Sequence, residues 1–222
     1  ETQWSRLAAR YLRKEFALKK EIKRATVHIA GMGLYELFIN GQRIGDQVLA
    51  PAPTDYRKTI LYNTYDVTSQ LQQENAIGVT LGNGRFYTMR QNYKPYKIPT
   101  FGYPKLRLNL IVEYADGSKE TIATNTSWKL TTEGPVRSNN EYDGEEYDAR
   151  KELGNWTQTG YDDTKWMPAE RVSIPSGTLR AQMMPEMKVT ETLKPVSIQK
   201  MGDKYIMDTG QNLAGWVRFR RS

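Results

Sequence analysis

The sequence has 222 residues with 32 Lys and Arg, 25 Asp and Glu, one histidine and no cysteine, which excludes thiol nucleophiles, disulfides, thiolate zinc sites and multi-histidine metal centres. The net charge of +7 gathers at the ends: residues 1–24 hold eight basic against three acidic side chains and the last five hold three arginines, leaving 25–217 with 21 basic and 22 acidic. A neutral body argues against a nucleic-acid partner, and no run approaches the ~18 apolar residues of a membrane helix, so neither a membrane segment nor a signal peptide is expected.

Along the chain the apolar residues alternate with the period of a half-buried strand. Val27 and Ile29 alternate with Thr26 and His28; Tyr35, Leu37 and Ile39 with Glu36, Phe38 and Asn40; Ile77, Val79 and Leu81 with Gly78 and Thr80. Leu106, Leu108, Leu110 and Val112 do so against Arg107, Asn109, Ile111 and Glu113. Each apolar face needs a second layer. Asn40-Gly41 and Asp116-Gly117 sit between extended stretches and predict type I′ hairpin turns, whose two central positions need positive φ. Gly and Pro recur at Gly31, Gly33, Pro51, Pro53, Gly82, Gly84, Pro95, Pro99, Gly102 and Pro104, leaving no room before residue 105 for a long helix. The expected fold is all-β, an antiparallel β-sandwich of jelly-roll type over residues 1–175. A linker is expected at 176–188, where three methionines and a proline break the alternation. Alternation returns in 189–222, read as the first strands of a second β domain.

Chemistry concentrates in two places. Glu141-Tyr-Asp143-Gly-Glu145-Glu146-Tyr-Asp148-Ala-Arg150 brings five carboxylates into eight residues, which reads as a strand edge or loop where Arg150 and Tyr side chains satisfy one or two buried carboxylates, as a set of hard oxygen ligands that suits Ca²⁺, or as a self-contained glycosidase pair within 141–148. The strand at 76–81 ends in Gly82-Asn83-Gly84, a tight turn that lets the backbone approach a neighbouring group closely, with Arg85, Phe86, Tyr87 and Arg90 nearby. Tyr87, Tyr93, Tyr96, Phe101 and Tyr103 form an aromatic set that either stacks on sugar rings or buries a long loop against the sheet. His28, alternating with inward residues, is expected to face outward.

The ordered segments Gly33-Leu-Tyr-Glu-Leu-Phe-Ile-Asn-Gly-Gln-Arg-Ile-Gly45, Leu49-Ala-Pro-Ala-Pro-Thr-Asp-Tyr56, Leu61-Tyr-Asn-Thr-Tyr-Asp-Val-Thr68, Glu74-Asn-Ala-Ile-Gly-Val-Thr-Leu-Gly-Asn-Gly84 and Gly144-Glu-Glu-Tyr-Asp-Ala-Arg150 resemble the N-terminal module of bacterial alpha-L-rhamnosidases, and Asp208-Thr-Gly-Gln-Asn-Leu-Ala-Gly-Trp216 resembles the opening of their next β domain. The resemblance implies a periplasmic, secreted or cytoplasmic inverting hydrolase of rhamnosides whose catalytic acid and base lie in a C-terminal (α/α)₆ barrel, so that this module packs on the catalytic domain, binds carbohydrate, or both. It further implies that Asp55, Asn83, Glu145 and Asp148 carry rhamnose binding with a calcium ion; together with Arg85 and Tyr87 beside the turn, the expected carbohydrate contacts are Asp55, Asn83, Arg85 and Tyr87 and the expected metal ligands Glu145 and Asp148. One position departs from the family pattern: Arg85 and Phe86 follow Gly84, where a tryptophan is frequent.

Overall fold

The computed structural model describes residues 7–88, 101–141 and 144–218; Arg90, Tyr93, Tyr96 and Asp143 of the motifs above lie outside them. The strands, in chain order, are β1 (Arg10–Ala17), β2 (Ile22–Met32), β3 (Leu34–Ile39), β4 (Gln42–Ile44), β5 (Thr59–Asp66), β6 (Glu74–Gly82), β7 (Lys105–Tyr114), β8 (Lys119–Ala123), β9 (Lys129–Thr131), β10 (Val136–Asn140), β11 (Gly144–Tyr147), β12 (Met167–Pro168), β13 (Thr178–Ala181), β14 (Ser197–Met201) and β15 (Lys204–Asp208). Two sheets form the sandwich, one in the order β12-β9-β1-β6-β3-β4 and the other in the order β13-β5-β2-β7-β8. A β10–β11 ribbon stands beside them.

The inward residues of the alternating strands meet between the sheets. Leu37, Ile39, Ile77, Val79 and Leu81 from one sheet face Val27, Ile29, Leu108, Leu110 and Val112 from the other, with Trp128 at their side. Each such side chain contributes about 1.5–3 kcal/mol when fully buried. His28 turns outward as expected, its Nδ1 2.9 Å from Thr64 Oγ1 and its ring edge-on to Tyr62. Among the described residues, no helix is long and apolar enough to cross a membrane.

The first sheet is covered on its outer face too, which the alternation does not foretell. Tyr11, Trp156, Tyr161 and Trp166 pack there in edge-on and tilted pairs. Under them the buried Arg13 donates to the carbonyls of Trp156 and Gln158 at 2.9 Å and pairs with Asp163 and Glu15, while the Tyr161 ring lies 5.3 Å from its guanidinium carbon. Covering both faces explains why β6 is buried continuously from Asn75 to Val79. It also explains Gly78: a Cβ there would stand 2.6 Å from Thr157 Cγ2.

The Asn40-Gly41 turn has φ values of 50° and 81°, as a type I′ hairpin requires. Asn40 also binds beyond its own turn, accepting from the Ala76 amide at 2.8 Å. At Asp116-Gly117 the hairpin forms but the turn type differs from the expectation: only Gly117 has positive φ. Its amide donates to the Tyr114 carbonyl at 3.0 Å, so Ala115 and Asp116 occupy an ordinary turn, and Asp116 instead accepts from Ser118 N and Oγ.

The chain divides after Met187. Within the larger unit, the segment expected as a 176–188 linker supplies β13, which pairs parallel to β5 with Thr178 opposite Thr59. All four of its residues are exposed, so no buried face writes an alternation into this edge strand. The second unit, from residue 188, contains the β14–β15 hairpin turning at Gly202 (φ 64°).

Candidate functional site

The loop after β6 is fixed by close backbone approach. Gly33 has φ 133°, and a Cβ on it would fall 2.2 Å from the Gly82 carbonyl oxygen. That packing turns Asn83 inward, where it is 2% exposed. Its Nδ2 donates to the carbonyls of Leu7 and Asn139 at 2.8 Å each, its Oδ1 accepts from Arg10 Nη1 at 3.2 Å, and its amide donates to Asn139 Oδ1 at 2.6 Å. Asn83 thus ties the N-terminal segment, β1, β6 and β10 together, and its polar atoms are occupied by the protein. Tyr87 is likewise internal: it is 3% exposed, packs on Leu7 and stacks on Tyr103 with centroids 5.8 Å apart.

The other two residues of the expected carbohydrate set remain at the surface. Arg85 Nη1 lies 3.3 Å from Glu141 Oε2. Asp55 binds Arg57, with Nε at 3.0 Å and Nη2 at 3.2 Å, and its backbone carbonyl accepts from Lys58 and Thr59; the Arg57 hydrogen bond holds its carboxyl below the usual range. Asp55 and Arg85 flank one aromatic contact, since Tyr56 and Phe86 meet edge-on at 4.9 Å. Burial pushes Tyr56 up to about 12, Arg85 opposing and Glu141 reinforcing the shift. The loops carrying Asp55 and Arg85 therefore belong to one end of the sandwich.

In the acidic segment, β11 pairs with β10 so that Glu145 stands opposite Asn139, the residue that holds Asn83. Glu145 is exposed, yet enough protein surrounds its carboxyl for desolvation, aided by the charge of Glu36, to push its pKa up. Asp148 behaves oppositely. It accepts from Arg150 N and binds the guanidinium through both oxygens at 2.8 Å, which lowers its pKa to about 2. The expected pair is therefore split: Glu145 lies along a strand face and Asp148 closes the turn at Ala149–Lys151. A calcium ion needs six to eight oxygen ligands. Among the described residues no three acidic or histidine side chains gather around one point, and Asp148 is already neutralised by Arg150, so the described donors do not fit that ion.

The Asp148 cap gives a pH prediction. A depressed carboxyl contributes fully above its unfolded value near 3.8 and is lost as pH falls through the folded value of about 2. NMR of the 148–151 amides across this window should show the turn persisting at pH 3 and opening near the lower value. Arg150→Ala should shift the opening upward.

The Arg13–Asp163 clamp is a structural centre that sequence reading missed. The available signal was a charged residue among the outward positions Tyr11, Arg13 and Glu15 of an N-terminal strand.

Comparison with known proteins gives a consistent result. A family model described as "Alpha-L-rhamnosidase N-terminal domain" matches residues 20–191. An alpha-L-rhamnosidase of Formosa agariphila is 41% identical over 221 residues, covering 97% of this chain and 23% of that protein. Among solved structures, the alpha-L-rhamnosidase from Dictyoglumus thermophilum superposes with a TM-score of 0.84 at 43% identity, over 92% of this chain and 22% of the other. The Streptomyces avermitilis alpha-L-rhamnosidase complexed with L-rhamnose superposes with a TM-score of 0.81 at 34% identity, over 94% and 20%. The chain thus spans less than a quarter of the length of these relatives.

Proposed function

Because the chain belongs to the alpha-L-rhamnosidase N-terminal domain family, we propose that it serves as a non-catalytic module of a larger alpha-L-rhamnosidase-like hydrolase. It packs on the part that carries the chemistry and touches rhamnoside at the sandwich end presenting Asp55 and Arg85. The observation that carries this reading is the ratio of lengths: nearly all of the chain aligns with only 23% of an alpha-L-rhamnosidase.

The carboxylates support the same reading. Glycoside hydrolysis needs two carboxyls roughly 5 to 10 Å apart across one scissile bond. Here Glu141 is paired with Arg85 and Asp148 with Arg150. Glu36, whose charge reaches Glu145, is itself bound by Arg43 at 3.3 Å. The relative complexed with L-rhamnose makes that sugar the first ligand to test.

Calorimetric titration with L-rhamnose tests that contact. Weak binding, with Kd on the order of 1 mM, is expected and should be unchanged by Ca²⁺, because Asp148 is held by Arg150. The absence of heat with and without Ca²⁺ would remove sugar contact and leave packing alone.

A further inference from the structure

We infer that a cleft beside this end of the sandwich binds the carboxylate of an acidic saccharide, a uronic-acid residue. Arg57, Phe101, Lys105 and the 173–176 loop border an open cleft of about 370 Å³, within the range of roughly 300–1,000 Å³ found for small-molecule sites. The walls are built. Ser176 Oγ donates to the Arg57 carbonyl and Thr178 N to the Lys58 carbonyl, each at 3.0 Å, fixing the loop against the start of β5. Phe101 rests on Tyr56 and Phe86, with centroids 5.1 and 5.9 Å away.

The charges in the cleft are unequal. Arg57 lies 5.7 Å from the Phe101 centroid but is neutralised by Asp55. The Lys105 ammonium donates to the Tyr103 carbonyl at 3.1 Å and stands 5.3 Å from the Phe86 centroid, and no carboxylate pairs with it among the described residues. Partial burial, with the nearby charge of Arg10, lowers its pKa. A ligand carboxylate would supply the missing counter-charge through a charge-assisted hydrogen bond. Phe101, Ile174 and Pro175 give the cleft an apolar wall that suits the C–H face of a pyranose, and Ser173 and Ser176 line it beside them. A uronate satisfies the cation and the ring together.

The inference rests on the carbohydrate-contact reading above, and a backbone-amide NMR titration of the whole chain keeps the two separable. Glucuronate should shift amides of Phe101–Lys105 and 173–176 with Kd on the order of 1–10 mM. Glucose should bind roughly fivefold or more weakly, and acetate should leave these amides unmoved. Lys105→Gln should weaken glucuronate roughly fivefold, the scale of one exposed ion pair, without altering the response to glucose or L-rhamnose, whereas Lys105→Arg should retain binding; both variants should melt with the parent chain. The proposal is overturned if acetate reproduces the glucuronate shifts, if glucose matches glucuronate, if Lys105→Gln has no effect, or if glucuronate produces no shifts. Glucuronate binding without L-rhamnose binding would sustain this cleft and remove the rhamnoside contact. The reverse pattern would remove the cleft and sustain that contact.

Discussion

Arg13→Met lowers the stability of the sandwich by about 3 kcal/mol, seen as a fall of roughly 10 °C in thermal melting. The guanidinium is 1% exposed and serves two carbonyls and two carboxylates. Breaking a buried ion pair from one side costs about 3–5 kcal/mol because the partner charges are stranded. The lower end applies here, since Asp163 and Glu15 keep 25% and 41% of their side-chain exposure and can turn to water. The carbonyls of Trp156 and Gln158 remain unserved, and the loop carrying Trp156 and Tyr161 lifts from the sheet. Arg13→Lys recovers only part of the loss, because one ammonium cannot reproduce the planar fork. Adding Asp163→Asn to Arg13→Met costs less than the sum of the single changes, because the two groups share one interaction. An exposed, dispensable Arg13 would show less than about 0.5 kcal/mol.

Asn83→Ala costs a comparable amount, about 2–4 kcal/mol, since each buried polar group left without a partner costs about 1–3 kcal/mol. The carbonyls of Leu7 and Asn139 lose their donor and Arg10 loses an acceptor. Asn83→Asp separates a structural bracket from a ligand-binding residue. Carboxylate oxygens facing two carbonyls repel them and the Arg10 guanidinium on the Oδ1 side offsets only part of this, so this near-isosteric change should still destabilise measurably. A residue whose task is to meet a cation or sugar hydroxyl would tolerate Asp. Equilibrium urea unfolding of both variants reads the difference, and an Asn83→Asp variant as stable as the parent would refute the bracket.

Much of the fold is legible in the sequence because burial on one face writes a period of two. Leu106, Leu108, Leu110 and Val112 point inward as their spacing requires, and Asn40-Gly41 makes its hairpin. What escapes is whatever a second contact decides. The run from Asn75 to Val79 does not alternate in burial because the Trp156 loop covers the far face. β13 escapes because all four of its residues are exposed, and the Asp116-Gly117 turn differs because Asp116 caps Ser118 rather than adopting positive φ. The candidate site was legible as a neighbourhood and less so as a set of roles. Asp55 and Arg85 flank one aromatic contact, whereas Asn83 and Tyr87 are buried. A polar residue between two glycines reads as a ligand contact, yet the same glycines let the chain fold it inward. Lys105 and its cleft could not be found from spacing, since Arg57, Phe101 and the 173–176 loop meet only in the folded chain.

The central claim, that this chain is an accessory module of an alpha-L-rhamnosidase-like hydrolase, is tested most directly by incubating the folded chain with an aryl alpha-L-rhamnoside and following release of the phenol. The account predicts no turnover above the uncatalysed rate, and no change with Glu145→Gln. Turnover by the chain alone that Glu145→Gln abolishes would contradict it and place a working carboxylate pair in the 141–148 segment.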